Sequence, residues 1–271
     1  MISRKLLILM ALCFQAACSD SGQPENNSAT STESQISQNQ PDNTKPLYWA
    51  VGQSFYPPFA FRDKQGALVG LDIDLLNAIA EKEDIQITFM PQELNDLWRK
   101  LDENSADIAL GGLNITAERQ QHYAFTQAYL STENAVLLDT SKVQIKNFAE
   151  LKGKMIGVIN HSAYENIVHH SALGQVKTYA NLRSGISGIK NGEVAAVYDN
   201  ERVLSFYHAQ ERDVSLLKDT ARHSDFGFAL RKDNPLLKQK LDKGLATIRK
   251  DGTYDKILAK WDAESIKHQI Q

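Results

Sequence analysis

Short apolar runs alternate with amphipathic helical stretches along this chain, and the alternation starts again halfway through. No other feature restricts the fold as strongly. In the first half, Leu47, Trp49 and Val51 alternate with smaller residues as in a strand. Ile73, Leu76, Ile79 and Ala80 share one helical face, with Asp72 placed to cap it. Ile85 to Met90 reads as a strand, Leu94 to Leu101 as a helix, and Ile108 to Leu110 as a buried strand. This β-α-β-α-β order predicts a mainly parallel sheet with helices on both faces. Later, Phe148 to Gly153 reads as a short helix with a glycine stop, and Met155 to Ile159 as a strand. Ser162-Ala163-Tyr164-Glu165 is a capping box opening a helix. Ser187 to Asn191 belongs to another helix, and Ala195 to Tyr198 is a strand ending at Asp199, with a helix from Asn200 to Ala209. Two stretches with the same grammar predict an α/β protein of two lobes with a cleft between them. Phe226 to Arg231 then reads as a strand. Leu237, Leu241, Leu245 and Ile248 keep helical register after Asn234-Pro235 until Asp251-Gly252, and Thr253 starts a last helix through Trp261.

The globular body spans about Leu47 to Ala263 of the 271 residues, enough for two small lobes. What precedes it has a different composition. Arg4 and Lys5 lead into an apolar core from Leu6 to Phe14, too short to span a bilayer as a mature helix. Ala16-Ala17-Cys18 puts two small residues before a cysteine. Residues 1–18 therefore read as an export signal resembling a bacterial lipobox, with Cys18 lipidated as the mature N-terminus. Gln15 stands where such sites usually carry Leu, which leaves ordinary cleavage near the same point open. Residues 19–45 are almost entirely Ser, Thr, Gln, Asn, Asp and Pro, with Ile36 their one sizeable apolar side chain. They are expected to form a disordered tether, about 30 Å long on average and about 90 Å when stretched.

Cys13 and Cys18 are the only cysteines, and neither falls in the body. The body is thus expected to have no disulfide, thiolate catalysis or thiolate-bound metal. The formal net charge is −3, and it becomes more negative once Arg4 and Lys5 leave. That balance argues against nucleic acid as a partner. His169 and His170 are adjacent on a helix, where side chains diverge, so they read as a solvated face and not as metal ligands. No metal and no cofactor is expected.

One stretch combines fold and chemistry. Asp107 to Leu110 leads into Gly111-Gly112-Leu113-Asn114-Ile115-Thr116-Ala117-Glu118-Arg119. Thr116 is a good N-cap, which places Arg119 in the first turn of a helix. Free amides and the positive dipole end suit an anion there, whereas a cation costs roughly 0.3–1 kcal/mol. Arg119 is either a solvated surface arginine or one side of a grip on an anionic ligand. In open α/β sheets ligands bind beyond the carboxyl ends of the strands, where this stretch lies.

Several separated motifs carry a resemblance. Gly70-Leu71-Asp72-Ile73-Asp74-Leu75-Leu76-Asn77-Ala78-Ile79 resembles the signature of the family 3 extracellular solute-binding proteins, the amino-acid receptors of bacterial ABC importers. Tyr56-Pro57-Pro58-Phe59, Gly112 to Arg119, Asn147 to Lys154 and Lys250 to Trp261 extend it in order across 46–263. The resemblance implies the type II periplasmic-binding-protein fold, with lobe 1 at 46–138 plus 226–264 and lobe 2 at 139–225. It implies an amino acid held between closing lobes. Arg119 matches the arginine that grips the ligand carboxylate. Asn114 stands where Thr or Ser is usual, Gly112 matches a backbone contact to the ligand ammonium, and Asp199 matches the second-lobe aspartate that pairs with it. Tyr56 matches the aromatic against the ligand side chain. Leu94 stands where a second aromatic wall is common, and Ser162 can supply a hydroxyl. Asp199 read alone is a helix cap, and Tyr56 read alone is a packed loop aromatic. Gln53 stands where receptors of cationic ligands carry an acid, so a non-cationic ligand is expected. His161 replaces a common glycine and faces either ligand or solvent.

The resemblance also implies a monomer in the periplasm, lipid-anchored to one of the two membranes, that delivers its ligand to an inner-membrane permease. A ligand-binding sensor without an importer remains an alternative. So does a dehydratase-type enzyme on the same scaffold, although no nucleophile–base pair stands out.

Overall fold

The computed structural model describes residues 44–142 and 144–262. The leader, Cys18 and the tether up to residue 43 lie outside the described residues. So does the end of the first lobe beyond residue 262.

The first sheet is built from β1 (Leu47–Gln53), β5 (Gln86–Gln92), β6 (Ile108–Leu110), β7 (Ala124–Phe125) and β13 (Ala229–Leu230). Its order is β5-β1-β6-β13-β7. The first three strands are parallel, with Val51 opposite both Met90 and Ala109, while β13 runs antiparallel to both its neighbours. A small antiparallel sheet of β2 (Phe55–Tyr56), β3 (Ala60–Arg62) and β4 (Leu68–Val69) sits at its edge. Helix α1 (Leu71–Lys82) packs against α7 (Pro235–Lys250), with α8 (Thr253–Lys260) beside them. Leu75, Leu76 and Ile79 meet the Leu237, Leu241, Leu245 and Ile248 stripe in one buried cluster. Each such side chain contributes about 1.5–3 kcal/mol when fully buried. Helix α2 (Leu94–Asp102) covers the other face through Leu97 and Leu101, and α3 (Ala117–His122) follows β6.

The second sheet has the order β10-β9-β11-β8-β12. It comprises β8 (Leu130–Asp139), β9 (Met155–Ile159), β10 (Gln175–Tyr179), β11 (Ala196–Asn200) and β12 (Val214–Phe226). Strands β10, β9 and β11 are parallel, and β8 is antiparallel to β11 and β12. A 3₁₀ turn at Phe148–Leu151 precedes β9. Helices α4 (Ala163–Ser171), α5 (Leu182–Asn191) and α6 (Glu201–His208) cover this sheet.

Residues 130–138, expected with the first lobe, are hydrogen-bonded throughout in the second sheet. The chain therefore crosses between lobes near Tyr129–Leu130 and Phe226–Gly227, not at 138. The two crossings run side by side: the Tyr129 amide donates to the Phe226 carbonyl at 2.9 Å and the Thr126 amide to the Phe228 carbonyl at 3.0 Å. Two cap assignments also change, and one capping box forms only in half. Helix α1 is capped at Gly70, and Asp72 turns inward, fully buried. The cap of α6 is Asn200, whose side chain accepts from Arg202 N–H, which removes the capping role from Asp199. Ser162 caps α4, but the Glu165 carboxylate returns to the His161 amide and not to Ser162, leaving the capping box half formed.

Candidate functional site

The parallel strands of both sheets point their carboxyl ends at one cleft. From the first lobe, Tyr56 comes off β2, Leu94 opens α2, Gly112 and Asn114 follow β6, and Arg119 lies in α3. From the second, Ser162 and Tyr164 open α4 after β9, and Asp199 lies in β11. All of them, with Gln53 and Ile159, line one narrow, nearly closed cavity of about 10 Å³. Every residue expected at the site from the sequence is thus brought together, although they span 143 positions from Tyr56 to Asp199.

The loop after β6 is held from behind. Asp72 Oδ2 accepts the amides of Gly111 at 2.7 Å and Gly112 at 2.9 Å. Burial raises the Asp72 carboxyl to about 6, against the lowering pull of the Tyr129 hydroxyl and the two amides. The Gly112 N–H is spent on Asp72, and a ligand ammonium, itself only a donor, could be met here only by the Gly112 carbonyl. Gly112 has φ +64°, and a Cβ there would lie 2.7 Å from the Tyr56 ring and 2.9 Å from Phe59. The position therefore requires glycine on both backbone and packing grounds.

Thr116 Oγ1 accepts the Arg119 amide at 3.2 Å, as a cap should. The half-buried Arg119 guanidinium donates to the Asn114 carbonyl at 3.1 Å and lies over the Trp98 ring, 4.9 Å from its centroid. Among the described residues it has no carboxylate in ion-pair range, and burial lowers its pKa from the usual value. A half-buried guanidinium with unused donors and no acid is what a carboxylate-binding group requires before its ligand arrives.

Asp199 supplies the opposite charge. It is fully buried; Oδ1 accepts the Tyr56 hydroxyl and, at 2.7 Å, the Asn200 amide. Oδ2 is buried without a hydrogen-bond partner. Burial raises the carboxyl to about 7, with the Tyr56 and Asn200 hydrogen bonds pulling the other way. An unpaired buried carboxylate oxygen costs about 1–3 kcal/mol or more and is satisfied by a cation entering the cavity.

The lobes touch directly across the cleft. Besides Tyr56–Asp199, Asn114 Nδ2 donates to Tyr164 Oη at 3.1 Å, and at the rim Asn166 Nδ2 donates to Glu118 at 3.1 Å. Tyr164 and Trp98 were not singled out by the sequence. Tyr164 is fully buried against Tyr198 with ring centroids 6.0 Å apart. Trp98 lies one helical turn beyond Leu94, so that spacing was the available signal. His161 takes a left-handed φ of +60°, exposed at a wider mouth that it shares with Trp98 and Arg119. Among the described residues no His, Cys, Asp or Glu cluster is arranged for a metal, and no helix is long and apolar enough to cross a membrane.

Residues 49–264 match the bacterial extracellular solute-binding proteins, family 3. The ABC transporter arginine-binding protein 1 of Escherichia coli (strain K12) is 30% identical over 213 residues, covering 76% of this chain and 86% of that protein. A solved ancestral arginine-binding protein bound to glutamine is 33% identical, with a TM-score of 0.75 over 81% of this chain and 99% of its own. An ancestral amino-acid-binding protein described as a precursor of cyclohexadienyl dehydratase is 26% identical, with a TM-score of 0.73 over 80% of this chain and 95% of its own.

Proposed function

Since the chain belongs to the bacterial extracellular solute-binding proteins of family 3, we propose that its cleft takes a free α-amino acid as a zwitterion, with Arg119 on the carboxylate and Asp199 on the ammonium. It is a solute-binding protein of the amino-acid class that serves an ABC importer. One observation carries the assignment of residues. Opposite charges, each without a salt-bridge partner among the described residues, face one cavity from opposite lobes: Asp199 with a buried unpaired oxygen, and Arg119 with unused donors. Such a ligand satisfies both and bridges the lobes, so binding favours closure. Gly112, Asn114, Ser162 and Tyr164 complete its polar surround, while Tyr56 and Leu94 flank its side chain.

The side chain is neutral in this reading. Asp199 is the one carboxylate among the described residues of the cavity wall, and it is already committed to the ammonium. Gln53, an amide that donates to the Gly111 carbonyl, offers a neutral side chain a matching group. The names of the relatives cover both possibilities, arginine for the Escherichia coli protein and bound glutamine for the ancestral one. Thermal-shift screening and calorimetric titration against the twenty amino acids decide between them. A neutral polar amino acid is expected to give the largest stabilisation. Tightest binding of arginine or lysine removes the neutral-side-chain reading, and no response to any amino acid removes the zwitterion reading.

We also infer a binding role without turnover, and a monomer held at a membrane in the periplasm through Cys18. Dehydration of cyclic carboxylate substrates by the purified protein would overturn the first. A mature N-terminus without lipid, seen by mass spectrometry, would overturn the anchor.

A further inference from the structure

We propose that Trp98 is a positioning residue for ligand capture, its indole holding the Arg119 guanidinium in the cleft before a carboxylate arrives. The proposal rests on the reading of Arg119 as the carboxylate grip. A guanidinium without an acid partner is free to swing into water, where its charge is best solvated. Here one face of it is covered by the Trp98 ring at 4.9 Å, and Nη1 is tied to the Asn114 carbonyl at 3.1 Å. These two contacts fix the plane of the group and leave its other N–H donors for the ligand.

The indole is itself braced. Tyr123 packs on it with ring centroids 4.8 Å apart, and the Tyr123 hydroxyl donates to both oxygens of Asp102 at 2.9 and 3.0 Å. Asp102 is the last residue of α2, one turn beyond Trp98 on the same helix. A helix of the first sheet thus presents an aromatic platform whose far side is locked to that helix. Trp98 and Arg119 also both line the wider mouth of the cleft, so the platform lies where a ligand carboxylate enters. Cation–π contacts are strongest over tryptophan and gain strength on desolvation. Pre-orientation lowers the ordering cost of binding.

The test compares an acid with its amide. The probes are the amino acid that wild type binds most tightly among the twenty, and the α-carboxamide of that same amino acid. Both are titrated calorimetrically into wild type, Trp98→Phe and Trp98→Leu. Trp98→Leu is expected to lose about fivefold to thirtyfold in affinity for the acid with the amide unchanged, so the acid-to-amide ratio falls. Trp98→Phe is expected to fall between. A merely structural role would weaken both probes alike and leave the ratio constant, which overturns the proposal. If Trp98→Leu does not fold, Trp98→Met replaces it in the same comparison. Failure of wild type to bind any amino acid overturns the underlying reading and this one with it. Binding with an unchanged ratio overturns this one alone.

Discussion

Asp199 and Arg119 show how a single residue can carry two explanations until its surroundings are known. At the end of a strand and before a helix, Asp199 is equally well placed as a cap. The cap turns out to be Asn200, so the Asp199 carboxylate is buried with one oxygen unsatisfied. Arg119 sits in the first turn of a helix that Thr116 caps, where a cation is unfavourable. Asp199→Asn keeps the shape and removes the charge. It is expected to weaken amino-acid binding by about 10²-fold, in line with about 2–5 kcal/mol for one side of a buried charge pair. Arg119→Lys keeps the charge but loses the planar fork and is expected to weaken binding also. Calorimetry on both variants checks this, and unchanged affinity in either returns that residue to a structural role. Arg119 was legible because it breaks a local rule, whereas Asp199, a plausible cap when read alone, was legible only through the family resemblance. Trp98 and Tyr164 break none. An aromatic on a helix face looks like core until a neighbouring lobe shows what it touches.

At the scale of elements, regular alternation was the readable part. The β1, β6 and β9 strands and the α7 stripe follow from apolar spacing alone. Strand β10 was missed because its sequence, Gln175-Val176-Lys177-Thr178-Tyr179, has no apolar run and no buried residue. Strand β8 misplaced the lobe boundary because its first half, Leu130-Ser131-Thr132-Glu133, is polar and does not look like sheet interior. The turn between β9 and α4 makes the testable case. His161 holds φ +60° with its amide bound to Glu165 at 2.7 Å. A left-handed conformation costs a non-glycine residue roughly 1–2 kcal/mol. His161→Gly is therefore expected to raise thermal stability by about 0.5–1 kcal/mol, after the added flexibility of the unfolded chain offsets part of the relief. Affinity for the amino acid is expected to be unchanged, because the imidazole is exposed at the mouth and does not line the inner cavity. A stability loss would mean the loop needs the histidine side chain, and an affinity loss would mean that the side chain reaches the ligand.

For the whole molecule, the protein's own groups at the cleft and a bound ammonium pull the buried carboxyls in opposite directions. Two carboxyls buried near the cleft titrate above the usual range: Asp199 at about 7 and Asp72 at about 6, against an ordinary value of 3.8. In both, burial is the leading cause. A raised acid binds its proton in the folded chain over a pH range where the unfolded chain has released it. Its stabilisation is therefore fully present below about pH 4 and is lost as pH rises through 6 and 7. A tenfold difference in proton affinity between the folded and unfolded chain corresponds to about 1.4 kcal/mol. An ammonium at Asp199 reverses the preference by stabilising the ionised form. Ligand-free protein is thus expected to lose stability between pH 5 and pH 8 relative to Asp199→Asn, which has no such group. Amino-acid affinity is expected to rise over the same interval in wild type. Thermal midpoints of wild type and Asp199→Asn at several pH values, with and without ligand, measure both slopes. Parallel midpoint profiles for the two ligand-free proteins would mean that Asp199 is ionised throughout, and that its charge is balanced in the empty cleft by something other than the hydrogen bonds from Tyr56 and Asn200.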